Sequence, residues 1–122
     1  MTTPLHQLKA EFFKTLSHPL RIRILELLSQ DEHSVGELLR DMEVEPSNLS
    51  QQLAVLRRAG LVTTRKEGST VHYSLISPQT AELMAVARSI LTSVLSEQAD
   101  MLTTLKSDAR SARGVQVRRG AR

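Results

Sequence analysis

Residues 46–59, PSNLSQQLAVLRRA, crowd Ser47, Asn48, Ser50 and Gln51 into five positions. Amide and hydroxyl side chains in such a run suit the edges of nucleic-acid bases. Asn or Gln can pair with both edge atoms of adenine in the major groove, and Ser fits several bases. Wound as a helix of ~3.6 residues per turn, the stretch gathers Leu49, Leu53 and Leu56 on one face for burial. Ser47, Gln51 and Arg58 fall opposite them, Asn48, Ala54 and Val55 flank, and Ser50 and Arg57 sit at the edges. Gln52 turns towards the buried side. Ser47 and Asn48 also lie at the helix start, where backbone N–H groups favour phosphate oxygens. An ordinary solvated helix face has the same composition, so a second feature has to decide.

That feature is the hairpin pattern that follows. LVTTRKEGSTVHYSLI reads as two strands around Gly68-Ser69, with Val71, Tyr73 and Leu75 alternating on one face. Arg65 and Lys66 stand near its tip, with Ser69 and Thr70 across the turn. Over residues 46–72, Arg57, Arg58, Arg65 and Lys66 face only Glu67, a local surplus of +3. Basic side chains on a projecting hairpin can reach phosphates and the neighbouring minor groove. Arg57, Arg58, Arg65 and Lys66 are therefore expected on phosphates, and Ser47, Asn48, Ser50 and Gln51 on bases.

These residues need elements to hold them. Thr3-Pro4 reads as a helix cap, and Leu5, Leu8, Phe12 and Leu16 recur at helical spacing, predicting a helix over 4–15. Pro19 restarts the chain into a helix over 19–30. Ser34 with Glu37 has the capping-box pattern and opens a short helix over 34–42. Pro46 opens the polar helix, and Gly60 closes it. Pro78 begins the last helix, expected over 78–105. Beyond it, residues 106–122 are poor in apolar side chains and are expected to be disordered. The fold class is mainly α with a two-stranded β-wing, in the order α-α-α-α-β-β-α. Two short helices followed by a hairpin describe a winged helix-turn-helix over residues 1–105, whose second short helix should enter the major groove of double-stranded DNA.

Composition narrows the alternatives. The chain has 122 residues, enough for one compact domain. Cysteine is absent, which excludes thiolate nucleophiles and thiolate metal sites and suits a cytoplasmic setting. No apolar run approaches the ~20 residues of a membrane helix, and the start lacks a signal-peptide pattern, so no membrane partner is expected. Five glycines form no phosphate loop, and neither a G-x-S-x-G turn nor an H-E-x-x-H pair occurs, so the chain is not expected to be an enzyme. Net charge is +3, yet the stretch from Lys106 onward alone carries six basic residues against Asp108. The remaining body is slightly acidic, so its basic patches are local. The terminal stretch itself is either a DNA-binding arm or a solvated end.

TLSHPLRIRILELL, SVGELLRDMEVEPSNLSQQLAVLRRAGLV and GSTVHYSL resemble, in this order, the ArsR/SmtB-type winged-helix regulators. The resemblance covers about residues 5–95. It implies a homodimeric DNA-binding repressor on a pseudo-palindromic operator, released by a metal or another signal. By position, Ser47, Asn48, Ser50, Gln51 and Gln52 match the family's recognition-helix segment, with Gln52 the weakest candidate, and Arg65 to Thr70 match its wing. The family's cysteine site has no counterpart in SVGELLRDM. Its last-helix site would fall on Ser77, Gln79, Ile90 and Ser93, where Ile is no ligand and Ser a poor one.

On the last helix, Met84, Ala87, Leu91, Val94, Met101 and Leu105 form a stripe broken by Gln98, widened by Leu83, Ile90, Leu95 and Leu102. So long an apolar face calls for a partner helix, and the resemblance places Leu5, Leu8 and Phe12 of the first helix beside it in a homodimer. Of the four histidines, His18 is expected to cap or pack and His72 to lie on the surface. His6 could join Glu97 or Asp100, from either chain, around a metal. Similarity to cysteine-free actinobacterial members, one group of them nickel-linked, keeps Ni(II) beside Zn(II) as effector. Two other readings stand beside this one: a dimeric protein-interaction module, and a constitutive DNA binder whose sensing is done by a protein co-regulator.

Overall fold

A computed structural model describes residues 2–120, and their side chains as far as Ala112. Chain contacts divide it into two compact units, Met1–Met84 and Ala85–Arg122. The first unit holds every element that positions the polar helix and the hairpin.

Helix α1 spans Leu5–Leu16 and α2 spans Pro19–Gln30. Pro4, expected inside α1, is its cap instead, and Thr3 makes no capping bond. The Pro4 carbonyl accepts from the backbone N–H groups of Gln7 and Leu8 at 3.1 and 3.2 Å. His18 caps α2, its Nδ1 accepting the Leu20 N–H at 3.2 Å. Ile24, Leu25, Leu27 and Leu28 of α2 are all buried, so this helix runs through the core.

Strand β1, His33–Ser34, leads into α3 at Val35–Asp41. The expected capping box is complete: Ser34 Oγ accepts the Glu37 N–H at 3.2 Å, and Glu37 Oε1 accepts the Ser34 N–H at 3.0 Å. Helix α4 occupies Pro46–Arg58 and buries Leu49, Leu53 and Leu56. These join Leu16, Leu38, Met42 and Val62 and the α2 residues in one core. Each such side chain stabilises the fold by roughly 1.5–3 kcal/mol.

Two glycines take backbone conformations that other residues avoid. Gly60 has φ +77°, which lets the Leu61 N–H reach back to the Leu56 carbonyl at 3.0 Å and terminate α4. Gly68 has φ +62° at the first position of a two-residue turn between β2, Val62–Glu67, and β3, Thr70–Leu75.

The sheet differs from the expected two-stranded wing. It has three antiparallel strands in the order β1-β3-β2, with His33 opposite Tyr73 and Ser34 opposite His72. Two residues are too few to show strand alternation, so β1 is fixed only when the free edge of β3 finds it. His72, expected on the surface, is consequently half-buried, its side chain 19 % exposed.

Helix α5 runs from Pro78 to Gly120, past its expected end at Leu105. Residues 106–120 are helical where a disordered tail is expected, while 121 and 122 lie outside the described residues. The extension has a local cause: after Pro78 no proline follows, and the first glycine is Gly114. Among the described residues, no helix is long and apolar enough to cross a membrane.

Candidate nucleic-acid interface

Helix α4 is anchored from beneath. Leu49, Leu53 and Leu56 are at most 1 % exposed, which fixes its rotation about its own axis. With those three inward, Ser47, Asn48, Ser50 and Gln51 are all exposed, as are Arg57 and Arg58 in the last turn. Pro46 occupies the first turn, and no side chain caps the helix start. The exposed N-terminal turn thus joins two hydroxyls, two carboxamides and the positive end of a helix.

Gln52 stands apart from this group. It is only 9 % exposed, and both ends of its carboxamide are engaged inside the protein. Oε1 accepts from Arg21 Nε at 2.8 Å, and Nε2 donates to Asn48 Oδ1 at 3.1 Å. The structure therefore removes Gln52 from the side chains presented outward, because the leucine-fixed rotation of α4 turns position 52 towards α2.

Lys66, Ser69 and Thr70 are exposed around the Gly68 turn, and Arg65 is half-exposed on β2. Arg65 is not a free cation. It donates to both carboxylate oxygens of Glu32, Nη2 to Oε1 at 2.5 Å and Nε to Oε2 at 3.5 Å, and its Nη1 lies 3.0 Å from Glu67 Oε2. The first contact holds the Glu32 carboxyl below the usual carboxylate range, and both carboxylates raise the Arg65 guanidinium. His72 Nε2 approaches Glu67 Oε2 at 3.6 Å. Sequence reasoning missed Glu32, 33 residues away from Arg65. The row Ser34, His72, Arg65 across the three strands brings the two ends together.

The expected partner-helix residues divide by environment. Leu5 and Leu8 are 66 % and 48 % exposed, and Phe13, absent from the expected set, is exposed too. Phe12 and Met84 are instead half-buried and pack on the core. In the second unit Ala87, Leu91, Val94, Met101 and Leu105 are exposed, together with Ile90, Leu95 and Leu102.

Metal chemistry finds little support within one chain. Among the described residues, no three His, Asp or Glu side chains gather where they could hold an ion. Ser77, Gln79, Ile90 and Ser93 offer no competent donor set. The four positions matched to the family's last-helix site do not fit a bound metal.

Comparisons with known proteins agree with this geometry. Residues 18–64 match the model of the bacterial regulatory protein family arsR. The chain is 58 % identical over 105 residues to the HTH-type transcriptional regulator Rv0081 of Mycobacterium tuberculosis, covering 85 % of this chain and 92 % of that one. The crystal structure of Rv0081 superposes with a TM-score of 0.74 at 60 % identity, over 80 % of this chain and 99 % of that one. A biofilm growth-associated repressor of Agrobacterium fabrum is 44 % identical over 75 residues, 62 % of this chain and 64 % of that protein. A homodimeric winged helix-turn-helix DNA-binding domain from Mycobacterium bovis, solved by NMR, matches with TM-score 0.69 at 28 % identity, over 76 % of this chain and 86 % of that one.

Proposed function

The chain belongs to the ArsR family of winged-helix DNA-binding transcriptional regulators, a non-enzymatic class, and from that premise we propose a homodimeric repressor that reads operator DNA with α4. The observation that carries this reading is the outward face of α4. Ser47, Asn48, Ser50 and Gln51 share an exposed N-terminal turn whose rotation is fixed by three buried leucines. That turn enters the major groove, Arg57, Arg58 and Lys66 meet phosphates, and Ser69 and Thr70 bring the wing to the adjacent backbone.

Dimerisation doubles the reading head. The side chains of α1 and of α5 beyond Met84 include many exposed large apolar groups, faces that a second copy would cover. The Mycobacterium bovis neighbour is a homodimeric domain. Two α4 helices about 34 Å apart then match half-sites of a pseudo-palindromic operator. The basic stretch 106–122 adds phosphate contacts, so truncation at Ser107 flattens the salt dependence of binding.

Release by Ni(II) or Zn(II) would use His6 with Glu97 or Asp100 of either chain. The other reading is a DNA binder whose signal arrives through a protein co-regulator, and what supports it is Ile90 and two serines at the positions matched to the family's last-helix metal site.

Fluorescence anisotropy on the DNA upstream of the protein's own reading frame, against a scrambled duplex, tests the reading. A preference for the upstream DNA of at least about 10³-fold over the scrambled duplex is the expected outcome for a specific regulator. Equal, salt-sensitive binding to both would overturn it in favour of protein interaction. Adding chelator and then Ni(II) or Zn(II) to the same titration decides between the two modes of release.

A further inference from the structure

We infer that Gln52 is a positioning residue that fixes which end of the Asn48 carboxamide faces DNA. The inference deepens the proposed function and rests on its reading of α4 as the helix in the groove.

The chain of hydrogen bonds has a direction. It starts at Arg21, whose guanidinium carries only donors. Arg21 Nη1 donates to the Thr15 carbonyl near the end of α1 at 3.0 Å, and Nε donates to Gln52 Oε1 at 2.8 Å. Because Arg21 offers no acceptor, Gln52 has to turn its oxygen towards it. Its Nε2 is then aimed the other way and donates to Asn48 Oδ1, one helical turn back, at 3.1 Å. Asn48 is thereby oriented in turn. Its oxygen is drawn inward to Gln52, and its two Nδ2 hydrogens are left on the exposed side.

Burial makes the arrangement one-sided. Gln52 is 9 % exposed, so water does not compete freely for its amide, and a reversed orientation would set its N–H groups against the guanidinium. Asn48 itself is exposed and would otherwise rotate freely between donor-out and acceptor-out orientations. The relay removes that freedom.

The consequence is chemical. A donor facing the groove recognises acceptors: N7 of a purine, O6 of guanine or O4 of thymine. Paired contact with adenine needs the amide oxygen and nitrogen on the same edge, and here the oxygen is already used within the protein. Asn48 is thus set to favour an acceptor-rich base edge, while Gln51, exposed on the same helix, remains the proposed adenine reader.

Gln52→Glu isolates this effect. The carboxylate keeps an acceptor for Arg21 and adds an ion pair, so the fold is retained, but the donor to Asn48 is gone. Asn48 then turns Nδ2 inward and presents Oδ1. The full-length protein is used to select duplexes from a randomised library, and affinities are measured for every single-base variant of the selected sequence. Wild type, Asn48→Ala, Gln52→Glu and the double variant are compared. The expected result is a change of about fivefold to tenfold in base preference at the position sensitive to Asn48→Ala, towards bases that present a donor. That change should vanish in the double variant. A Gln52→Glu protein whose affinity falls by one factor on every duplex, with its preferences intact, overturns the relay. So does a changed preference that survives Asn48→Ala.

Failure of the underlying DNA reading looks different, since wild-type protein would then select no sequence at all. The relay is also read without DNA. In the free protein, NMR should show Gln52 side-chain amide protons exchanging about tenfold more slowly than those of Asn48, with Arg21→Met removing the difference. Equal exchange in the wild type overturns it.

Discussion

Arg65 of the wing is gripped by Glu32, a residue just ahead of β1, through two hydrogen bonds from Nη2 and Nε to the two carboxylate oxygens. A cation expected on DNA phosphate is therefore already partnered by a carboxylate. In the proposed DNA complex, phosphate would have to compete with Glu32 for the same fork of donors, and Glu32 itself would repel the backbone.

Removing that charge should favour DNA. Glu32→Gln keeps the side-chain shape and one acceptor for Arg65 while deleting the negative charge. Affinity for any duplex should rise about threefold to tenfold near 0.1 M salt. The log–log salt slope should steepen by up to ~0.9, the contribution of one added phosphate contact. Anisotropy titrations across a salt series measure both quantities. An unchanged slope would place Arg65 away from phosphate.

Gln51 carries a different expectation, because it is exposed and is the proposed base reader. Gln51→Ala should weaken binding to the preferred duplex by about 5- to 100-fold, the cost of one paired amide contact. Binding to scrambled DNA and the melting temperature should stay near wild type. A uniform loss on both duplexes would show that Gln51 acts on the fold or on phosphate instead.

The proposed dimer can be broken without touching the core of the first unit. Leu91 is 57 % exposed and lies beyond that unit. Leu91→Glu should leave the circular dichroism spectrum of the helices nearly intact and shift sedimentation at micromolar protein to the monomer. Affinity for a two-half-site duplex should fall towards that for one half-site. A dimer that persists would move the contact elsewhere.

The capping box makes a pH-dependent contribution whose sign is set by Glu37. Hydrogen bonds from the Ser34 N–H and hydroxyl lower the Glu37 carboxyl below its ordinary range. A lowered folded-state value stabilises the fold above the ordinary carboxylate range, and the contribution is lost as acid protonates Glu37 through its folded value. Glu37→Gln should therefore narrow the difference in melting temperature between neutral and acidic solution. Ser34→Ala should cost about 1 kcal/mol at neutral pH by removing the cap. Thermal melts of the two variants across pH check both signs.

Much of this protein is local and was legible as such. Pro19, Pro46 and Pro78 start helices because proline lacks the N–H that a helix interior needs, and they do so here. The Ser34–Glu37 box, the His18 cap and the Gly60 stop are bonds between near neighbours, so residue type and spacing specify them. The three leucines of α4 fix its rotation by burial, which is why its outward polar face follows from a helical wheel.

Contacts between distant residues were decided by tertiary structure alone. Strand β1 is two residues long and exists because β3 offers it an edge, and that pairing brings Glu32 to Arg65 across 33 positions. Arg21 finds Gln52 across 31 positions because α2 packs beside α4. The wheel turns Gln52 inward, but only the guanidinium beside it orients its carboxamide and, through it, that of Asn48. Sequence set the first four helices, the hairpin and the polar surface proposed to meet DNA, since these depend on spacing within one helix turn or one hairpin. Which charges on that face are already partnered, and which way its amides point, depend on groups that the folded chain alone brings within hydrogen-bond distance.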